Sequence, residues 1–320
     1  MTALRNLIAE MDGPSKALAL SILALVIVGG FVHSQFYSPT YLLQQLQTGA
    51  FLGIVATGAL IVILLGEIDL SIPWTMTAAA LLSTAVVGPH PQPFVSEIGL
   101  LVGLATGVGI GLVNGIGVAY MRIPSMIWTL AVNTVVLGLC VYLGDMFTLG
   151  SRPSLAMSTL GAGKTFGVAN VTLVWLTIGM LMAFILRKTI FGRHLYFVGN
   201  REAAAFLSGV DTRRVTLLAF VASGLLNGAA GLLLAGYAGQ SYGHMGDPYL
   251  LSAIAAVVLG GASLFGGRGS YAGTALGVML ITLISSVLSI MQAPEAAKQI
   301  IYGVVIIGMV GYYSRRERFA

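Results

Sequence analysis

Charge is scarce in this sequence: Asp, Glu, Lys and Arg together make up 8% of its residues, against a hydrophobic fraction of 57%. So little charge excludes a solvated disordered chain, and so much apolar length has no use in a soluble domain. Cysteine is reduced to Cys140, inside an apolar run, so no intrachain disulfide can form. His33, His90, His194 and His244 lie far apart without ligand spacing, and no metal site is expected. No Ser-His-Asp order and no carboxylate pair facing a cleft can be read, so no catalytic residues are assigned. The net charge of +5 does not point to nucleic acid, because the basic residues sit between apolar runs and form no groove-sized patch.

Apolar length is what the chain has in abundance. A helix needs about 20 residues to cross roughly 30 Å of hydrocarbon. About ten runs approach that length: 17–33, 49–66, 72–88, 97–120, 125–144, 169–187, 215–239, 248–265, 271–291 and 298–313. The expected fold is therefore an all-α polytopic membrane protein with about ten transmembrane helices. Gly260, Gly261, Gly266 and Gly267 mark the eighth run as a partial or re-entrant helix. The first run follows Arg5 and Lys16, but VHSQFYS after it offers no small-residue cleavage site, so it reads as a retained span.

With the N-terminus in the cytosol, Arg5, Lys16, Arg122, Arg187, Lys188, Arg193, Arg201, Arg213, Arg214, Arg268, Arg315, Arg316 and Arg318 all fall inside. Only Arg152, Lys164 and Lys298 fall outside, which is the bias of a correct topology. Both termini are expected in the cytosol. The division is then a cytosolic segment 1–16, one permeation domain 17–313 and a cytosolic tail 314–320.

Glycines recur every four residues at Gly103, Gly107, Gly111 and Gly115, and again at Gly224 with Gly228 and Gly273 with Gly277. On a helix each series makes a smooth stripe for close backbone approach.

The long charged stretch is the loop 188–214. Within it Glu202 to Ser208 reads as a short helix, with Asn200 available as its cap and Gly209 placed to stop it. Ala203, Ala204 and Ala205 let a partner approach, Phe206 and Leu207 offer an apolar knob, and Arg201, Arg213 and Arg214 frame it. This is the design of a small helix docking into a groove; the plainer reading is a basic loop on lipid head groups.

In GEIDLSIP at 66–73, Glu67 and Asp69 end one span, Asp69 or Ser71 can cap the next, and Pro73 suits its first turn. At the cytosolic edge this is a connector and inner gate, the reading favoured by the span count. At membrane depth it becomes a polar helix break able to meet a hydroxyl-rich solute. Residues 65–71 (LGEIDLS) and 259–265 (LGGASLF) look faintly alike, as an internal duplication would leave them. LFGGRGS at 264–270 reads as a tight turn, since no strand precedes it and no Lys-Ser or Lys-Thr follows. STLGAGKT at 158–165 imitates a nucleotide loop but faces outward and lacks the flanking strand and helix. Among polar and aromatic residues within or beside spans, Asp69, Ser71, Trp74, Asn114 and Asn133 are the candidates for lining a solute path, with Trp128, Tyr142 and Asp145 weighed beside them. The alternatives for these residue types are interhelical glue for Asn and interface anchoring for Trp.

REAAAFLSG resembles the loop of ABC importer permeases whose Glu-Ala-Ala signature and following Gly form a helix seated on the ATPase subunit. GEIDLSIP, RIPSMIWTLAVNTVVLGL at 122–139 and AIAAVVLGGASLFGGRGSYAGTALGVMLI at 253–281 are similar to the ribose, xylose, galactose, arabinose and autoinducer-sugar branch of those permeases. The family usually has Gly where this chain has Glu67 and Pro73. The resemblance implies a bacterial inner-membrane subunit that carries a monosaccharide or related polyol and binds no cofactor itself. ATP and Mg would sit on two partner ATPase subunits, an extracytoplasmic binding protein would deliver solute, and a second permease chain would complete the path. Arg201, Glu202, Ala203, Ala204, Phe206, Leu207 and Gly209 are the implied ATPase-coupling residues. Two other classes compete: a secondary transporter or facilitator, which normally shows ionisable residues well inside its spans, and a membrane scaffold, which needs no solute path.

Overall fold

The computed structural model describes residues 13–32, 34–147 and 151–317. Arg5, His33, Arg318 and the segment before residue 13 lie outside the described residues, as do the side chains of Lys16, Asp145, Arg315 and Arg316. The helices in chain order are α1 (Gly13–Val32), α2 (Pro39–Ile63), α3 (Ile72–Val87), α4 (Pro93–Ala119), α5 (Ser125–Phe147), α6 (Leu155–Gly161) and α7 (Asn170–Lys188). There follow α8 (Ile190–Asn200), α9 (Glu202–Leu207), α10 (Thr212–Ala238), α11 (Tyr249–Leu259), α12 (Tyr271–Ile290) and α13 (Glu295–Glu317). A two-residue hairpin, Lys164–Thr165 against Val168–Ala169, interrupts them. The nucleotide-loop look-alike at 158–165 is therefore the end of α6 and the first strand of that hairpin.

Each apolar run contains a helix, and among the described residues six helices are long and apolar enough to cross a membrane: those starting in α2, α4, α5, α7, α10 and α12. Two of the shorter ones matter most. α3 has 16 residues and α11 has 11, or about 24 and 16 Å of axis, less than a bilayer core. The eighth run is thus helical only over Tyr249–Leu259, and Gly260, Gly261, Gly266 and Gly267 form the turn that follows. α2 starts earlier than its apolar run, because Ser38 accepts the Tyr41 N–H at 3.1 Å and Pro39 fits the first turn.

Glycine sets how closely the helices approach. A Cβ on Gly107 would fall on the Gly224 carbonyl, and one on Gly111 on the Phe220 carbonyl, so α4 and α10 meet backbone to backbone. Gly273 and Gly277 bring α12 onto Gly260 and Ala256 in the same way. α2 lies at the centre, with an unbroken buried run from Gly49 to Ile63.

Loop 188–214 holds two helices where one was expected. α8 is amphipathic: Leu195 and Val198 are buried and Phe191 packs beside them, an i, i+4, i+7 series legible in the sequence. α9 covers Glu202–Leu207 as expected, but Asn200 does not cap it. Asn200 is the last residue of α8, and Arg201 takes the cap position with extended backbone and no side-chain bond. Gly209 does stop the helix, at a φ of 85° that a side chain would oppose.

Candidate functional site

Two short helices begin inside the bundle, and the segments that lead into them enter from opposite ends. Residues 64–71 enter from the end that carries α8 and α9, where the Leu64 carbonyl accepts the Gly267 N–H at 2.9 Å. Residues 239–248 enter from the far end, where Ser241 shares a 2.6 Å hydrogen bond with Thr84. They reach as far as the first turn of α3, where Gly246 donates to Thr77 Oγ1 at 3.2 Å and His244 meets Trp74 edge-on at 5.0 Å. The look-alike stretches 65–71 and 259–265 are not this mirrored pair; their turns abut at the α8–α9 end.

The first entry segment is sealed. Ser71 donates to Asp69 Oδ1 through its backbone N–H at 2.9 Å and its hydroxyl at 2.6 Å, and Ser223 donates to Oδ2 at 3.2 Å. Behind each serine stands an asparagine, Asn114 donating to Ser71 at 2.7 Å and Asn227 to Ser223 at 3.2 Å. Asp69 is 4% exposed and Ser71 and Asn114 1%. Three donors converge on this one carboxylate, and α3 begins beside it. Ser71 occupies the cap position without a side-chain cap bond; the carboxylate of Asp69 takes the N–H instead.

Depth follows from the neighbours. Asn114 is five residues from the end of α4, and Thr129, which accepts the Leu70 N–H at 2.9 Å, is four from the start of α5. Both offsets amount to about 6–8 Å along a helix. The turn at 64–67 is therefore a connector at the bundle edge, as expected, while 68–71 penetrate one to two helical turns beyond it. Trp74 is 3% exposed and buried under His244, so it is no interface anchor. Asn133 sits next to it, its carbonyl accepting the Trp74 N–H at 3.4 Å. All five path candidates thus gather around the start of α3; Asp69, Ser71 and the Asn114 amide NH₂ bond one another, while Asn114 Oδ1 and Asn227 Oδ1 are buried without a partner among the described residues.

The second entry segment is open. His244 and Asp247 form a 2.9 Å pair whose side chains are 62% and 45% exposed. No local pattern marks them in the sequence; only the fold brings them beside Trp74.

At the α8–α9 end, Phe206 and Leu207 stand 66% and 86% exposed while Ala205 is fully buried. Thr212 donates to Glu202 at 3.2 Å, joining α9 to α10. Glu202 also shares a cavity of about 390 Å³ with Glu67, Arg122 and Arg213, so α9 and the first entry segment border one space. Arg213 lies over the Tyr120 ring at 6.0 Å, and Asp211 caps α10 and pairs with Arg214 at 2.8 Å. An exposed apolar knob on a helix anchored from beneath can be pushed as a unit.

The family model described as branched-chain amino acid transport system / permease component matches residues 41–310. The ribose import permease protein of Bacillus subtilis is 31% identical over 301 residues, covering 93% of this chain and 92% of the relative. The autoinducer 2 import system permease protein of Salmonella typhimurium is 31% identical over 298 residues, covering 92% and 84%. The L-arabinose ABC transporter permease protein of Azospirillum brasilense is 31% identical over 297 residues, covering 89% and 84%. No solved structure matches.

Proposed function

This chain belongs to the branched-chain amino acid transport system / permease component family, and on that premise we propose that it is the membrane-spanning subunit of an ATP-driven importer for a monosaccharide or related polyhydroxylated solute. The observation that carries this reading is the similarity to ribose, autoinducer 2 and arabinose permeases over about nine-tenths of the chain. The chain works in a bacterial inner membrane and takes its energy from ATPase subunits that hold ATP and Mg. Solute arrives on an extracytoplasmic binding protein.

The finer arrangement has two ATPase subunits, a second permease chain, identical or paralogous, and about ten spans with both termini cytosolic. In this arrangement α9 is the ATPase-coupling helix. Phe206 and Leu207 enter the ATPase, Ala203 and Ala204 let it approach, Arg201 and Glu202 orient the helix, and Gly209 ends it. Movement of α9 reaches the path through the cavity that Glu202 shares with Glu67. ATP binding biases the path between its two open states by differential contact at α9.

The test is the ratio of ATP hydrolysed to solute taken up, in liposomes holding the chain with its ATPase and binding protein. Glu202→Lys and Phe206→Ser are expected to lower uptake while the chain stays folded and membrane-inserted. Uptake and ATPase activity equal to wild type in both variants would remove α9 from the coupling.

A further inference from the structure

We infer that the cavity enclosed by α2, α11, α12 and α13 is a binding site for an uncharged polyhydroxylated molecule, an inference that rests on the importer reading and gives it a place in the chain. The cavity holds about 360 Å³, at the small end of ligand-sized cavities. It runs from the start of α13, at the far end of the bundle, down to Ser252 near the first turn of α11. The exposed His244–Asp247 pair precedes that turn in the chain. Its floor is thus the second of the two short helices.

The lining chemistry selects the ligand. Thr48, Ser252, Thr282 and Ser289 each donate their hydroxyl proton to the carbonyl one turn back, on Gln44, Pro248, Val278 and Ser285, at 3.1, 2.7, 2.8 and 2.8 Å. With the proton committed, each oxygen keeps lone pairs as an acceptor. A wall of uncharged acceptors suits a molecule rich in hydroxyl donors and disfavours a carboxylate or phosphate. The charged groups at the rim answer each other, Lys298 donating to Glu295 at 3.0 Å, so neither offers a free charge. The Gln45 side chain has no hydrogen-bond partner among the described residues, leaving both its amide NH₂ and its side-chain carbonyl for a ligand. An amino acid, with one full charge of each sign, would have to break the Lys298–Glu295 pair to find its counter-charges.

The experiment uses the full assembly in proteoliposomes, in a Cys140→Ser background, with Thr48→Cys on α2 or Ser289→Cys on α12. Labelling by a membrane-impermeant thiol reagent is timed with D-ribose, L-arabinose or L-leucine outside. A transported sugar is expected to slow labelling at both positions about threefold, the value for a ligand at twice its Kd, with no effect of leucine. Leu155→Cys, on the exposed face of α6, is expected to label at one rate throughout. Independently, Gln45→Leu is expected to lower uptake about tenfold while the binding protein still stimulates ATP hydrolysis. ATP-driven sugar uptake without protection, protection by leucine as well, or protection equal to that at Leu155→Cys would overturn the site and leave the importer reading standing. Unchanged uptake in Gln45→Leu would also count against it. Absence of ATP-driven uptake for both sugars would overturn the importer reading, and the site with it.

Discussion

The two short helices of this protein, α3 and α11, begin inside the bundle and are entered from opposite ends, yet they are finished differently. The segment before α3 is closed by Asp69, with Ser71, Ser223, Asn114 and Asn227 arranged around it. The segment before α11 leaves a His244–Asp247 pair exposed and opens onto a hydroxyl-lined cavity. A polar break in a membrane helix must satisfy its own backbone groups or present them to water. Here one break does the first and the other borders the second. Polar residues at depth therefore fall into two groups: those before α3 bond mainly to one another, and those around α11 line a cavity.

Mutation separates the two segments. Asp69→Ala strands the Ser71 N–H and two hydroxyl donors in a dry site and is expected to cost about 3 kcal/mol. Thermal unfolding in detergent reads this directly, and Asp69→Asn, which keeps an acceptor oxygen, should lose less. Gly246→Leu attacks the joint between the two segments, because its side chain would meet the Pro73 carbonyl, and is expected to cost about 2 kcal/mol in the same assay. Asp247→Ala removes an exposed pair and is expected to change stability by less than about 1 kcal/mol. Its effect should appear as slower uptake in proteoliposomes. Equal destabilisation by Asp69→Ala and Asp247→Ala would end the distinction between sealed and open segments. Phe206→Ser should leave unfolding unchanged, since the ring is exposed, and act only on coupling.

Much of this was legible in the sequence because it is local. Apolar runs announce helices, four-residue glycine spacing announces the α4–α10 contact, and Glu202 to Gly209 contains both the helix and its stop. α8 is legible too, in Phe191, Leu195 and Val198, though the charge of loop 188–214 masks its apolar face. Asn200 misleads as a cap because its side chain suits the role, while the chain spends it on the end of α8. The Asp69 cluster and the 239–248 entry are not local. Ser223 and Asp69 are 154 positions apart, and nothing near either residue records the other. The glycine turn at 260–267 shows why α11 ends, but not that the segment before α11 reaches Trp74.

As the membrane subunit of an ATP-driven importer, the chain should move solute only when an ATPase drives it. The most direct measurement is uptake of labelled D-ribose and L-arabinose into proteoliposomes holding the chain, its binding protein and its ATPase, with and without ATP, and again with the ATPase omitted. Accumulation above the outside concentration is expected with ATP present, and none without ATP or without the ATPase. Entry at the same rate in all three conditions, levelling at the outside concentration, would contradict it and make the chain a facilitator.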